Sequence, residues 1–161
     1  MSTRLAQAFA VVCALIVGGP ATSQDAAAIA RGEAAFAQCV NCHVVRDDAG
    51  TVLAGRNART GPNLYGVVGR VAGTSADFRY GDGIVQAGRM GLVWDEDSIV
   101  AYLLDPTAYL RSYTSNNRAR GNMSFRVRNA EQARDLYAFL TTFSPAPEPE
   151  PEAEGEAAPA D

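Results

Sequence analysis

Apolar residues recur at helical spacing just after an apolar stretch that opens the chain. Intervals of three, four and three residues separate the members of this stripe, so we predict a helix over residues 25–39 with Asp25 as its N-cap. Gly32 costs roughly 1 kcal/mol of helix propensity relative to alanine, so either it is incidental or another backbone packs closely there. The stripe consists of Ile29, Gly32, Phe36 and Cys39.

A second apolar stripe lies near the end of the chain, where Asn129 is the predicted N-cap and Gln132 occupies the capping-box position. Between the two stripes, the acidic run 95–97 predicts the start of a helix that Pro106 ends. The inward-facing residues are Ile99, Tyr102 and Leu103 in the earlier helix, and Ala133, Leu136, Leu140 and Phe143 in the later one, flanked by Tyr137 and Phe139.

The segments between these helices contain many turn-forming residues. Residues 44–60 are polar, and a small hairpin is predicted around 48–53. Glycines recur over 65–91 without a sustained period, which predicts an extended loop, and 107–128 are polar and irregular. The predicted fold class is therefore all-α, small and loop-rich.

Both ends of the chain differ in composition from the part between them. Residues 1–23 combine one arginine, an apolar run and small residues before a predicted cleavage point after Ser23, which is typical of a signal peptide for export. An uncleaved anchor is the alternative, but the run is shorter than the roughly 20 residues of a transmembrane helix. Residues 144–161 alternate proline with glutamate and are predicted to be disordered. The predicted domain is 24–143.

The negative charge of the chain is concentrated in that tail. The formal net charge over 161 residues is −4, and 6 of the 18 acidic residues lie in 144–161, where there is no basic residue. Residues 24–143 carry 13 basic against 12 acidic residues, a net charge of +1. All the basic residues are arginines, for which a compositional bias of the genome is the simplest explanation.

Residues 39–43 read Cys-Val-Asn-Cys-His, which is the C-x-x-C-H attachment motif of c-type haem. Cys39 and Cys42 share one face of a helical turn, so both thiols can add to the vinyl groups along one haem edge. His43 follows at once and can bind the iron as proximal ligand. One covalent haem is predicted, and in so small a domain it supplies much of the core.

Other interpretations of the motif are a structural disulfide, a thioredoxin-like redox pair and half of a zinc site. Zinc needs four ligands, yet His43 is the only histidine, and the only other cysteine, Cys13, lies in the predicted signal peptide. A redox pair needs a βαβ context that the pattern does not show. Covalent haem is favoured over all three.

The function of such a haem depends on whether the second axial position of its iron is filled. After signal removal, the methionines that remain are Met90 and Met123. A thioether ligand stabilises reduced iron and raises the reduction potential, as expected of an electron carrier. A methionine is more often core filler than ligand, so composition does not distinguish the two roles.

Four blocks around the C-x-x-C-H motif resemble, in order and spacing, those of class I cytochromes c, most closely the bacterial cytochromes c2. The resemblance covers residues 32 to about 140 and implies the class I cytochrome c fold wrapped around one covalent haem. The blocks are GPNLYGVVGR at 61–70, GLVW at 91–94, YLLDP at 102–106 and MSF at 123–125.

The resemblance also implies individual roles. Met123 resembles the axial sulfur ligand, and Pro62 resembles the residue whose carbonyl binds the haem histidine. Without the resemblance, Trp94 and Tyr102 would be interpreted as core residues and Arg70 as a surface charge. The set that resembles the propionate-binding residues is Arg70, Tyr80 and Trp94, and Tyr102 resembles the tyrosine near the methionine sulfur.

Packing expectations follow from the same resemblance. Gly32 and Phe36 would meet Leu136 and Phe139 where the first and last helices cross, which would explain the glycine. Met90 would serve only in packing.

The implied function is that of a soluble periplasmic electron carrier and not an enzyme. It would shuttle electrons from a cytochrome bc1 complex to a photosynthetic reaction centre or a terminal oxidase, as a monomer without nucleic-acid partners. A peroxidase-like haem enzyme and a gas-binding sensor are the alternatives, and both need an open iron. Arginines replace the family's docking lysines, and Asn122 stands where a lysine usually precedes the ligand. The predicted docking residues are Arg111, Arg118, Arg120, Arg126 and Arg128.

Overall fold

The computed structural model describes residues 23–144, which form five helices, one antiparallel pair of strands and long connecting loops. This confirms the predicted helix-rich, loop-rich architecture. Residues 1–22 of the predicted signal peptide and residues 145–161 of the predicted tail lie outside the described residues. The elements are α1 (Ser23–Phe36), β1 (Val44–Arg46), β2 (Val52–Gly55), α2 (Asp82–Arg89), α3 (Glu96–Leu104), α4 (Pro106–Tyr113) and α5 (Ala130–Thr141).

Helices α1 and α5 cross at Gly32, as predicted. A Cβ at this position would lie 1.9 Å from the carbonyl oxygen of Asp135 and 2.7 Å from Cβ of Phe139. The rings of Phe36 and Phe139 meet beside the crossing, with centroids 5.3 Å apart. The missing side chain of Gly32 therefore lets two backbones approach, which offsets its low helix propensity.

An ion pair that the sequence pattern did not predict spans the same contact. Arg31 donates from Nε and Nη2 to the two carboxylate oxygens of Asp135, at 2.8 and 2.7 Å. Asp135 is buried in α5, and its hydrogen bond raises the pKa of the Arg31 guanidinium. This two-point contact fixes the rotation of α1 against α5.

Side chains cap the starts of α3 and α5, and the cap of α5 is the predicted one. Asp95 accepts a hydrogen bond from the Ser98 amide at 2.8 Å, and its own amide donates to Ser98 Oγ at 2.9 Å. This bonding lowers the pKa of the Asp95 carboxyl. Asn129 accepts from the Gln132 amide at 2.9 Å and starts α5.

Three elements differ from the prediction. Helix α1 begins at Ser23, so Asp25 lies in its first turn and is not its N-cap. Helix α1 ends at Phe36 instead of Cys39, because the Gln38 and Cys39 amides bond three residues back and tighten the chain into turns. Pro106 ends α3 but also occupies the first turn of α4, capped by Asp105, so 107–128 are not irregular throughout.

The third difference is helix α2, which lies inside the segment predicted to be an extended loop. Its two glycines hide the helical pattern, and each one meets a neighbouring main chain. A Cβ on Gly83 would lie 2.6 Å from the Arg120 carbonyl oxygen, and one on Gly88 would lie 1.9 Å from that of Ala72. Tertiary packing therefore offsets the weak propensity of this helix.

The small hairpin is confirmed. Strands β1 and β2 pair antiparallel, with Val45 opposite Ala54, and the turn between them begins at Asp47. No helix within residues 23–144 is long and apolar enough to cross a membrane.

The helix crossing yields a prediction about stability. Gly32→Ala should lower the free energy of unfolding by about 1–3 kcal/mol, because the added methyl group overpacks the contact with Asp135. Urea unfolding followed by circular dichroism measures this. Helix propensity alone predicts that Gly32→Ala would instead stabilise the protein. Ala34→Gly, at an exposed position of α1, measures this propensity effect, which is about 1 kcal/mol. A Gly32→Ala protein more stable than the wild type would contradict the crossing.

Candidate cofactor site

A cavity of about 310 Å³ with a mostly apolar lining lies between the end of α1, α3, α5 and the loops that flank α2 and follow α4. Every residue that was expected to contact the cofactor lines it. The structure thus brings together side chains that are spread over more than half of the sequence. They are Cys39, Cys42, His43, Pro62, Arg70, Tyr80, Trp94, Tyr102 and Met123.

The C-x-x-C-H motif forms a tight turn directly after α1. The amides of Cys42 and His43 both donate to the carbonyl of Cys39, at 3.0 and 2.9 Å. Both cysteines are free thiols, Cys39 half-buried and Cys42 exposed. Burial, with a smaller contribution from Cys42, raises the pKa of the Cys39 thiol to about 11. The two thiols are available at the cavity wall for thioether formation.

The imidazole of His43 is oriented by a main-chain carbonyl. Its Nδ1 donates a hydrogen bond to the Pro62 oxygen at 3.0 Å, which leaves Nε2 as the nitrogen that can bind a metal. Burial lowers the pKa of His43, so the neutral, ligating form of the ring is favoured.

Gly61 lies against the face of the same ring, a role that the sequence pattern did not indicate. A Cβ at Gly61 would lie 2.5 Å from Cε1, 2.7 Å from Nδ1 and 2.9 Å from Nε2 of His43. The Gly61 amide also donates to the Cys42 carbonyl at 2.7 Å. Only a glycine allows the chain to pass this close to the imidazole, so the Gly-Pro pair was the available signal.

Arg70 brings a half-buried positive charge to the cavity. It donates to the carbonyls of Tyr65 and Asn63, each at 3.1 Å. Burial lowers its pKa, and within residues 23–144 no carboxylate lies within ion-pairing distance of it. A half-buried guanidinium of this kind suits an anionic group of a ligand, such as a propionate.

Tyr102 of α3 and Trp94, just before α3, form one wall of the cavity. Their rings pack edge to face, with centroids 5.0 Å apart, and burial raises the pKa of Tyr102 to about 12. Met123 lies half-buried in the cavity lining. Met90, expected to serve in packing, is instead 52% exposed at the C-cap of α2.

The five predicted docking arginines are not equivalent. Arg111 donates to the Ala119 carbonyl at 3.2 Å, and Arg126 pairs with Asp105 at 3.0 Å. The other three, Arg118, Arg120 and Arg128, are exposed and have no ion-pair partner within residues 23–144. Of the five, Arg120 alone lines the cavity.

Several apolar residues of the cavity were not identified from the sequence as part of the site. They lie in loops or in helices, and no sequence pattern distinguishes them from ordinary core residues. They are Leu64, Phe78, Ile84, Ile99 and Phe125.

The donor set and the cavity fit a covalently attached haem. Two free thiols and an oriented imidazole follow one another on one wall, a thioether lies in the lining, and a half-buried cation lacks a carboxylate. Together with the fold, this site defines a class I c-type cytochrome.

Known proteins agree with this class. The cytochrome c2 of Cereibacter sphaeroides is 54% identical over 110 residues, which cover 68% of this chain and 89% of the relative. That of Rhodovulum adriaticum is 55% identical over 120 residues, covering 74% and 93%. The chain therefore belongs to the cytochrome c2 family. This membership supports a function in electron transfer by haem iron. No protein-family model matches the chain.

Solved structures show the same fold. Cytochrome c2 from Rhodobacter sphaeroides superposes with a TM-score of 0.71 at 50% identity, covering 73% of this chain and 97% of that structure. Ferric cytochrome c-550 from Paracoccus versutus has a TM-score of 0.68 at 39% identity, covering 73% and 98%.

The contact between Gly61 and His43 yields a prediction about the reduction potential of the haem-loaded protein. Gly61→Ala should raise it, because displacing the ring weakens the hydrogen bond to Pro62 and makes the imidazole a poorer donor to oxidised iron. Potentiometric titration measures the change. Gly88→Ala is the control, since its added methyl group would meet the main chain at Ala72 and not the His43 ring. An unchanged or lower potential in Gly61→Ala would refute the proposed role of this glycine.

Proposed function

We propose that this chain is a periplasmic one-electron carrier that holds haem c with both axial positions closed. One observation carries the proposal: His43 and Met123, the two predicted axial ligands, line the same cavity. Its donor would be a cytochrome bc1 complex, and its acceptor a photosynthetic reaction centre or a terminal oxidase. The protein would have no enzymatic activity of its own, because no coordination position remains for a substrate.

The residues that would hold the cofactor have separate tasks. Cys39 and Cys42 would attach it through thioethers, and His43 and Met123 would bind its iron. Haem c supplies the one-electron couple between Fe(II) and Fe(III). A thioether ligand from Met123 would favour the reduced state and so raise the potential.

The cavity walls keep the site rigid during electron transfer. The hydrogen bond from His43 to Pro62 and the contact with Gly61 hold the imidazole in one orientation. The apolar lining excludes water, so little solvent rearranges when the charge changes. Arg70, Tyr80 and Trp94 would balance the propionate charges.

Arginines near Met123 would steer partner proteins to the cavity edge. Arg120 lies in the lining, and Arg118 and Arg128 carry exposed charges without acidic partners within the described residues. Arg126 contributes less, because Asp105 offsets its charge. Exposed charges of one sign give fast, weak and salt-sensitive association with acidic faces.

The role of Met123 predicts a shift in potential. In the haem-loaded protein, Met123→His should lower the reduction potential by on the order of 0.1 V or more, because imidazole favours oxidised iron relative to a thioether. Potentiometric titration checks this. Met90→His, at the exposed methionine, is the matched control and should leave the potential unchanged. If the two variants have equal potentials, Met123 is not the ligand.

The role of the arginines predicts an effect on association. Arg120→Gln should slow electron transfer to an acidic redox partner at low ionic strength by about twofold to fivefold, the effect of a charge pair worth up to about 1 kcal/mol. The difference should vanish at high salt. Stopped-flow kinetics measures both. Arg89→Gln, which makes the same charge change at the other end of α2, is the control. An equal loss of electron-transfer rate in both variants would exclude a local docking site.

A further inference from the structure

The start of helix α2 lies against the loop that carries Met123. A Cβ on Gly83 would lie 2.6 Å from the carbonyl oxygen and 2.9 Å from the amide nitrogen of Arg120. A Cβ on Gly81 would lie 2.7 Å from the side-chain oxygen of Asn122. Two glycines of one helix start thus face two of the three residues that precede Met123.

The other side of this loop is held by α3 and α4. The Gly121 amide donates to Thr107 Oγ1 at 3.4 Å, and a Cβ on Gly121 would lie 3.2 Å from Cβ of Pro106. After Met123, the Val127 amide donates to the Leu103 carbonyl at 2.9 Å. The loop is therefore confined between α2 on one side and α3 with α4 on the other.

A side-chain hydrogen bond adds to the contact with α2. Asn116 Nδ2 donates to Gln86 Oε1 at 2.9 Å, one turn further along the helix. Ala119 of the loop is buried, as is Ala87 of the helix. The loop thus has little room to move away from α2 without losing packing.

We propose that Gly83 is a positioning residue for Met123. Because position 83 has no side chain, the main chain at Arg120 lies directly against α2, and this sets how far the Met123 sulfur reaches into the cavity. The inference rests on the proposed role of Met123 as axial ligand, and it adds α2 as the element that keeps this ligand in place.

Gly81 and Gly83 differ in what they face. The atoms near Gly81 belong to the end of a flexible amide, which can swing away from an added methyl group. Those near Gly83 are main-chain atoms, which can move only with the loop. Gly83 lies within a helix, so alanine is compatible with its backbone conformation and the substitution changes only the available space.

The test measures the far-red absorption band of the oxidised, haem-loaded protein, which reports the bond from methionine to Fe(III). Gly83→Ala should lower this band at least twofold. Gly88→Ala, in the same helix, is the matched control, because its methyl group would meet Ala72 and not the Met123 loop. Gly88→Ala and Gly81→Ala should keep the wild-type band, even where urea unfolding shows a loss of stability.

A second variant tests the packing of α2 against the Met123 loop without adding atoms, in case Gly83→Ala does not fold. Gln86→Ala removes the hydrogen bond from Asn116, so the far-red band should disappear at a lower urea concentration than in the wild type. The midpoint of helix unfolding, followed by circular dichroism, should shift less. Equal shifts of both midpoints would overturn the proposal.

Two further outcomes separate this proposal from the proposed function. A wild-type band that survives unchanged in Gly83→Ala, or falls equally in Gly88→Ala, overturns the role of Gly83 and leaves methionine ligation intact. A wild-type protein without the band overturns methionine ligation itself, and the role of Gly83 falls with it.

Discussion

The contact between α1 and α5 at Gly32 is the constraint on which the rest of the structure depends. It joins the two ends of the described domain and is fixed in rotation by the Arg31 and Asp135 ion pair. Because α1 is seated on α5, the turn that follows α1 brings Cys39 and His43 to one wall of the cavity. Leu136, from α5 itself, lines the same cavity. The helix crossing therefore positions the cofactor attachment point.

Close main-chain approach recurs at each functional part of this molecule. Gly32 admits the α5 backbone, Gly61 passes over the His43 ring, and Gly83 admits the loop before Met123. In each case the missing side chain leaves room for a neighbouring main chain or ring. Such contacts would let long loops hold the two proposed axial ligands in a domain with so few regular elements.

Local signals made part of the structure predictable. The cap at Asn129 depends on a residue three positions away, and the C-x-x-C-H motif is contiguous, so a sequence pattern was sufficient. Helix α2 was not predicted, because its glycines are favoured only by packing against residues distant in the sequence. Helix α4 was not predicted, because Pro106 marks both the end of α3 and the start of α4. The roles of Gly61 and Asp135 depend on partners far away in the sequence, which periodicity does not report.

We propose that the chain's own side chains close both axial positions of the iron. Carbon monoxide binding to the reduced, haem-loaded protein tests this most directly, by comparing the wild type with Met123→Ala. The wild type should bind the gas slowly or not at all, while Met123→Ala should bind it readily. Rapid binding by the wild type would contradict a closed carrier site and would favour a haem enzyme or a gas sensor.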